Sequence, residues 1–127
     1  MKKILVVDDD KIFQAVISAK LKSLSYEVVS AFDGEEGLSK AVSEKPDLIL
    51  LDIRMPKLDG ISVLEQLQSN KEAHNKIPVI ITSNLSTMNK ISEGVALGVK
   101  GYIVKSDESL DTIVANVETV LNPKTNN

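Results

Sequence analysis

The chain of 127 residues lacks the features that mark several classes of protein. It contains no cysteine, which excludes a disulfide framework, a thiolate metal site and a cysteine nucleophile. No apolar run approaches the roughly 20 residues that span a bilayer. The apolar run at residues 4–7 is too short for the core of a signal peptide. We therefore expect a cytoplasmic protein without membrane insertion.

Aromatic residues and excess positive charge are also scarce, at 3% aromatic content and a net charge of -3. Surfaces that bind nucleic acid need clustered cations and stacking rings, so direct nucleic-acid binding is not expected. The apolar fraction of 43% and the charged fraction of 26% are typical of a globular protein. The length suits one domain with one core.

The apolar pattern alternates five times between short continuous runs and helical spacing. The runs predict strands at residues 4–7, 26–31, 48–51, 78–81 and 101–104. Helical spacing predicts helices at residues 11–25, 34–44, 61–67, 87–97 and 110–121. Asp33, with a glutamate three residues later, is a predicted N-cap, and Asp10 is expected to cap the first helix.

Strands that alternate with helices predict parallel pairing, right-handed crossovers and helices on both faces of the sheet. The first, third and fourth strands are apolar throughout, as central strands are, whereas the strand at Tyr26 is the least apolar and is assigned to an edge. These constraints favour an α/β fold, a doubly wound five-stranded parallel sheet in the order 2-1-3-4-5. The topological switch point then lies between strands 1 and 3.

Polar residues stand at the carboxyl ends of the strands, where such sheets bind ligands. They are Asp8, Asp9, Asp52, Ser83 and Lys105. Three converging carboxylates would repel one another without a cation, and an all-oxygen site suits Mg²⁺. A lysine and a hydroxyl opposite them suit a phosphoryl group, and an aspartate can itself be the nucleophile. Taken singly, each residue also has a structural explanation as a helix cap, a turn residue or a surface lysine.

Three segments, at residues 4–9, 52–60 and 98–105, closely resemble the receiver domains of two-component response regulators, including the single-domain chemotaxis type. The resemblance extends from Lys3 to about Leu121. It implies a flavodoxin-like receiver fold with five helices, a domain over residues 1–121 and a short polar tail over 122–127.

The resemblance also implies a role for each strand-end residue. Asp52 would be the phosphoacceptor, and Asp8 and Asp9 would be the acidic pair that binds Mg²⁺, with the backbone carbonyl of Arg54 as a further ligand. Lys105 would contact the acyl phosphate.

Two further positions would form the switch. Ser83 would supply the hydroxyl, although Thr82 is an adjacent candidate; the family's spacing and the alternation of side chains along a strand both favour Ser83. Tyr102 matches an aromatic that rotates as this hydroxyl moves toward the phosphate, and the alternative is simple packing on an edge strand.

The implied function is a phosphorylation-activated switch and not a classical enzyme, since it would catalyse only its own phosphorylation and dephosphorylation. The phosphodonor would be a histidine kinase or a phosphotransfer protein. The output surface would comprise the fourth predicted helix, the fifth strand and the last helix, and would contact a protein target. Either a stand-alone regulator or a receiver from a longer regulator with an output domain is compatible with the sequence.

Some residues depart from the family pattern. Ser106 replaces a common proline, which predicts a trans peptide bond after Lys105 and another loop path. Asn84 replaces a small residue and could narrow access for the phosphodonor. Arg54 and Leu85 occupy positions that tune the phosphate lifetime in the family. The single histidine, His74, is expected on the surface.

Three other functions fit the sequence less well. A Mg²⁺-dependent phosphatase would need a covering cap and a second acid at position 54, which is arginine. A receiver-like module that is never phosphorylated usually lacks one of the site residues, and here all are present. A flavodoxin-type FMN site would need a glycine- and hydroxyl-rich loop after strand 1, where this chain has three acids.

Overall fold

A computed structural model describes residues 1–55, 58–69, 77–83, 98–105 and 108–122. Within these ranges five parallel strands form one sheet in the order 2-1-3-4-5, which confirms the predicted fold and the edge position of the second strand. The strands are β1 (Lys3–Val7), β2 (Glu27–Ala31), β3 (Leu48–Asp52), β4 (Val79–Ser83) and β5 (Gly101–Val104).

Four helices belong to the described residues. They are α1 (Lys11–Ser23), α2 (Gly34–Glu44), α3 (Gly60–Ser69) and α4 (Leu110–Leu121). The predicted helix over residues 87–97 lies outside the described residues, as do His74, Asn84, Leu85 and Ser106 and most of the polar tail. Among the described residues, no helix combines the length and the apolar character that crossing a membrane requires.

The helix ends follow local side-chain chemistry. Asp10 accepts hydrogen bonds from the backbone N–H groups of Ile12 and Phe13, and Asp33 accepts one from Glu36, so both predicted caps are confirmed. The first helix was predicted to reach residue 25, which is wrong. It ends at Ser23, because Ser25 adopts a left-handed conformation with a φ of 72° that turns the chain into β2.

Two apolar cores lie on opposite faces of the sheet, because successive strand residues point to opposite sides. One core packs Leu5, Val7, Ile49, Leu51 and Ile81 against α2 and α3. The other packs Ile4, Val6, Leu48, Leu50, Ile80 and Ile103 against α1 and α4. Strand residues are fully buried throughout β3 and β4, as central parallel strands are.

Candidate functional site

An ion-pair cluster lies at the carboxyl ends of β1, β3 and β5. The Lys105 Nζ atom lies 2.6 Å from Asp8 Oδ2 and 3.8 Å from Asp52 Oδ2. Asp8 and Asp52 are buried, at 1% and 6% exposure, and the Lys105 side chain is 7% exposed. The structure therefore brings together three of the residues that the sequence assigned to the site.

The strand periodicity explains why these side chains meet. Asp8 continues the alternation that places Val6 on the α1 and α4 side of the sheet, and Lys105 continues that of Ile103. Asp52 follows Leu50 in the same way. The strands β1, β3 and β5 thus each end with a charged residue on the same face and at the same edge of the sheet.

Asp9 completes an acidic group, although it is exposed. One carboxylate oxygen from each of Asp8, Asp9 and Asp52 can be chosen so that all three lie within 4.8 Å of one another. These oxygens are the donors that Mg²⁺ prefers, and their number and charge fit a divalent cation. The Arg54 backbone N–H lies 3.4 Å from Asp52 Oδ1, which ties the following loop to the Asp52 carboxylate. The role of the Arg54 carbonyl as a ligand stays a prediction.

The electrostatics show that one lysine does not balance these acids. The pKa of Asp52 is raised from 3.8 to about 6, mainly by burial and then by the negative charge of Asp8, while Lys105 acts in the opposite direction. Burial also raises the pKa of Asp8, against the lowering effect of its hydrogen bond from Lys105. Both carboxylates would therefore be stabilised by an additional cation.

Two contacts hold Lys105 in place besides the acids. Its ammonium lies 4.5 Å from the centre of the Phe13 ring, within the range of a cation–π interaction. Its backbone N–H donates to the carbonyl of Ser83 at 2.6 Å. The helical spacing of apolar residues includes Phe13 in the predicted first helix but does not indicate this contact. The available signal is its position three residues after the capping Asp10, because the first turn of that helix lies over the strand ends.

The two candidate hydroxyls, on Thr82 and Ser83, are both buried at the end of β4. The register pairs Thr82 with Asp52, so these side chains belong to one face of the sheet. By the same alternation Ser83 belongs to the opposite face, where Tyr102 packs against the α2 and α3 core. The structure thus places Ser83 and Tyr102 on a common face, and the choice between the hydroxyls stays a prediction.

Gly60 lies against β3. A Cβ atom at this position would clash with the Asp52 carbonyl oxygen, and the Gly60 N–H donates to the Ile53 carbonyl at 2.8 Å. The residue begins α3, and the close approach of this helix to β3 is what excludes a side chain.

Comparison with known proteins places these observations in a family. The family model for the response regulator receiver domain matches residues 4–118. The chain is 43% identical over 105 residues to the alkaline phosphatase synthesis transcriptional regulatory protein PhoP of Bacillus subtilis, covering 82% of this chain and 42% of that protein. It is 37% identical over 118 residues to a probable transcriptional regulator, ycf27, of Porphyridium aerugineum, covering 91% and 48%. The chain thus spans less than half the length of these two relatives.

Solved structures agree with the fold. The chemotaxis protein CheY4 of Vibrio cholerae superposes with a TM-score of 0.85 at 29% identity, covering 94% of this chain and 98% of that one. A CheY-like receiver domain protein of Methanospirillum hungatei superposes with a TM-score of 0.90 at 25% identity, covering 98% and 97%. The chain belongs to the family of response regulator receiver domains of two-component systems.

Proposed function

We propose that the domain over residues 1–121 is a phosphorylation-controlled switch in which Asp52 accepts a phosphoryl group from a phosphohistidine. The donor would be a histidine kinase or a phosphotransfer protein in the cytoplasm. The observation that carries this proposal is the buried Asp52 at a strand end, with Asp8 and Lys105 beside it. Burial of a carboxylate costs free energy, so a buried carboxylate that served no function would only destabilise the fold.

The transfer needs Asp52 in its ionised form. One Asp52 oxygen would form a bond to phosphorus while the phosphorus–nitrogen bond of the phosphohistidine breaks. The leaving imidazole nitrogen keeps the bonding electrons and takes up a proton. Because the pKa of Asp52 is about 6, the carboxylate is largely ionised at neutral pH and remains more basic than an ordinary aspartate.

Lys105 would move toward the negative charge that a phosphoryl group adds at Asp52. In the resting protein its ammonium binds Asp8 closely and reaches Asp52 at 3.8 Å. A phosphoryl group on Asp52 would place new anionic oxygens within reach of this ammonium. We therefore assign Lys105 to the phosphoryl oxygens, with Phe13 restricting the volume that the ammonium can occupy.

Receiver domains bind Mg²⁺ at an acidic pocket, and the donor set here fits that ion. Asp8, Asp9 and Asp52 would hold it together with the carbonyl of Arg54. When bound, Mg²⁺ supplies positive charge that offsets the acids and the phosphoryl oxygens.

The output step would begin at Ser83 and Tyr102. The Ser83 carbonyl accepts a hydrogen bond from the Lys105 N–H, so a shift at the phosphoryl group has a direct connection to the end of β4. We propose that the Ser83 hydroxyl moves toward the phosphoryl group and that Tyr102 rotates with it. The surface formed by β5, α4 and the predicted helix over 87–97 would then contact a protein target, and not nucleic acid directly.

The proposal is tested by intact mass after incubation with acetyl phosphate and Mg²⁺. We expect the wild-type protein to gain one phosphoryl group, and the gain to disappear without Mg²⁺ and in Asp52→Asn. Asp47→Asn is the matched control, because Asp47 is an exposed aspartate that accepts a hydrogen bond at the other edge of the sheet. Asp47→Asn should gain the phosphoryl group as the wild type does.

Retention of the gain in Asp52→Asn would contradict the assignment of the acceptor. No gain in the wild type, together with no binding of beryllofluoride, would favour the alternative of a receiver-like module that acts without phosphorylation.

The relatives leave two arrangements open, since the chain covers 98% of the Vibrio protein but under half of the two transcriptional regulators. The size of the natural gene product, measured by immunoblot, separates a stand-alone regulator from a receiver with an output domain.

A further inference from the structure

Gln14 is an amide on the inward face of α1, only 3% exposed. The other buried polar side chains of the described residues, on Asp8, Asp52, Thr82 and Ser83, all belong to strand ends. Gln14 lies in a helix, one turn before the fully buried Ile17. Its position on the apolar face calls for an explanation other than solvation.

The carboxamide nitrogen of Gln14 meets three backbone carbonyls. Nε2 lies 2.9 Å from the Val6 oxygen, 3.1 Å from the Asp8 oxygen and 2.8 Å from the Ala31 oxygen. Carbonyl oxygens only accept hydrogen bonds, so the amino end of the amide must face them. The side chain therefore joins the ends of β1 and β2 to α1.

This contact lies just beyond the last residue of β1 that is paired with the neighbouring strands. The pairing of β1 with both neighbouring strands ends at Val7, one residue before Asp8. Beyond it, the Asp8 N–H donates to the Ala31 carbonyl at 3.0 Å, and Gln14 binds the carbonyls of both residues. The amide thus extends the hydrogen bonding past the last paired residue.

The other end of the amide shows that packing alone does not explain the residue. Gln14 Oε1 is buried and has no hydrogen-bond partner within the part of the chain that the structure describes. A buried acceptor without a partner is unfavourable, and an apolar side chain of the same length would avoid it.

The Asp8 carbonyl belongs to the peptide unit that joins Asp8 to Asp9. Fixing this unit limits the directions in which both carboxylates can point, while the Asp10 N–H holds Asp8 Oδ1 at 2.9 Å. We propose that Gln14 is a positioning residue that orients Asp8 and Asp9 toward Asp52 for binding of a divalent cation. This inference rests on the proposed function, because it assumes that these acids bind Mg²⁺.

The test compares Gln14→Met, which keeps length and loses the donor, with Ile17→Val, which loosens the same helix away from the site. The Mg²⁺ dissociation constant of the unphosphorylated proteins is measured by ¹H–¹⁵N NMR titration, at a temperature where circular dichroism shows all of them folded. We expect Gln14→Met to weaken Mg²⁺ binding by about 10-fold, the lower end of the range for residues that orient metal ligands. Ile17→Val should bind as the wild type does.

The phosphorylation rate offers a second readout. If Gln14 only orients the acids, saturating Mg²⁺ restores the rate of Asp52 phosphorylation in Gln14→Met. A purely structural defect would lower that rate at every Mg²⁺ concentration.

Wild-type Mg²⁺ binding together with an unchanged constant in Gln14→Met would overturn the inference and leave the proposed function standing. Failure of the wild-type protein to bind Mg²⁺ would overturn both. If Gln14→Met does not fold, the test uses the wild-type protein alone. The Gln14 side-chain amide protons should exchange slowly with solvent, and their chemical shifts should change on addition of Mg²⁺. Rapid exchange without a shift would reject the assignment.

Discussion

The sheet carries the same kinds of charged groups where its strands begin (the amino edge) and where they end (the carboxyl edge), but in opposite surroundings. At the amino edge, Lys3 Nζ lies 3.1 Å from Glu44 Oε1 and 4.0 Å from Glu27 Oε2, and its side chain is 24% exposed. At the carboxyl edge, Lys105 pairs with Asp8 and Asp52, and all three side chains are buried.

The comparison shows that exposure, and not ion pairing itself, distinguishes the surface contact at Lys3 from the candidate site at Lys105. Water solvates the charges around Lys3, so the pairing there changes stability little. Burial at the other edge raises the pKa of Asp8 and Asp52 and leaves two acids competing for one ammonium. The same pairing of lysine with carboxylates is therefore a surface contact at one edge and a candidate phosphoacceptor site at the other.

The largest expected difference between the edges comes from removing each lysine. Lys105→Met leaves two buried acids without their cation and should lower the free energy of unfolding by about 3 kcal/mol at pH 8. Lys3→Met should lower it by at most about 1 kcal/mol. Urea denaturation measures both, and similar losses would contradict the comparison. The loss in Lys105→Met should shrink at lower pH, where the acids become protonated.

The pH dependence of stability should also come from the carboxyl edge. Asp52 keeps its proton in the folded protein up to about pH 6, whereas the unfolded chain releases it near the ordinary value of 3.8. The folded state thus binds more protons between these values, and its stability falls as the pH rises through this window. The contribution of Asp52 is about 3 kcal/mol in total, fully lost above pH 6.

Urea denaturation between pH 3.5 and 8 measures this contribution as the difference between the wild type and Asp52→Asn. The variant lacks the titrating group, so the difference should change across the window from about pH 4 to 6 and stay constant above it. A difference that does not vary with pH would show that Asp52 has an ordinary pKa.

A smaller effect is expected from neutralising one acid at each edge. Asp52→Asn removes an ionised group from a buried site and should raise the free energy of unfolding by about 1–2 kcal/mol at pH 8 without Mg²⁺. Asp47→Asn weakens an exposed hydrogen bond to the Lys3 N–H and should lower it by up to about 1 kcal/mol. Thermal and urea unfolding should therefore give opposite signs for the two substitutions, and equal signs would count against the burial argument.

The smallest effect concerns the ring beside Lys105. A double-mutant cycle of Phe13→Leu and Lys105→Met should give a coupling energy of about 1 kcal/mol. The parallel cycle of Phe13→Leu with Lys3→Met should give none, since Lys3 lies at the opposite edge of the sheet. Coupling indistinguishable between the two cycles would show that the ring contributes packing alone.

The sequence predicted the sheet order, because strands alternate with helices and the central strands are apolar throughout. It predicted the meeting of Asp8, Asp52 and Lys105, because the carboxyl ends of parallel strands lie at one edge of the sheet. It did not predict the contacts of Phe13 and Gln14. Helical spacing shows which face of α1 is inward, but not how far the helix reaches over the strand ends. A glutamine among apolar residues does not indicate from the sequence which three backbone carbonyls its amide contacts.

The hydroxyl position shows another limit. Family spacing selected Ser83, whereas the pairing register sets Thr82 beside Asp52. Sequence patterns give the order of the two residues, but not which of the two hydroxyl oxygens reaches the site. Ser83→Ala and Thr82→Val, compared for phosphate lifetime, separate the two assignments.

Asp8 has both carboxylate oxygens engaged in the resting protein, one by the Asp10 N–H and one by Lys105. A second cation that binds Asp8 therefore displaces the ammonium, or shares a carboxylate oxygen with the ammonium or with the Asp10 N–H. The measured affinity of the second cation then reflects the difference between its binding free energy and that of the ammonium. An ammonium displaced in this way would be available to an anion near Asp52, so cation binding by the acids and release of Lys105 would be linked in one exchange equilibrium.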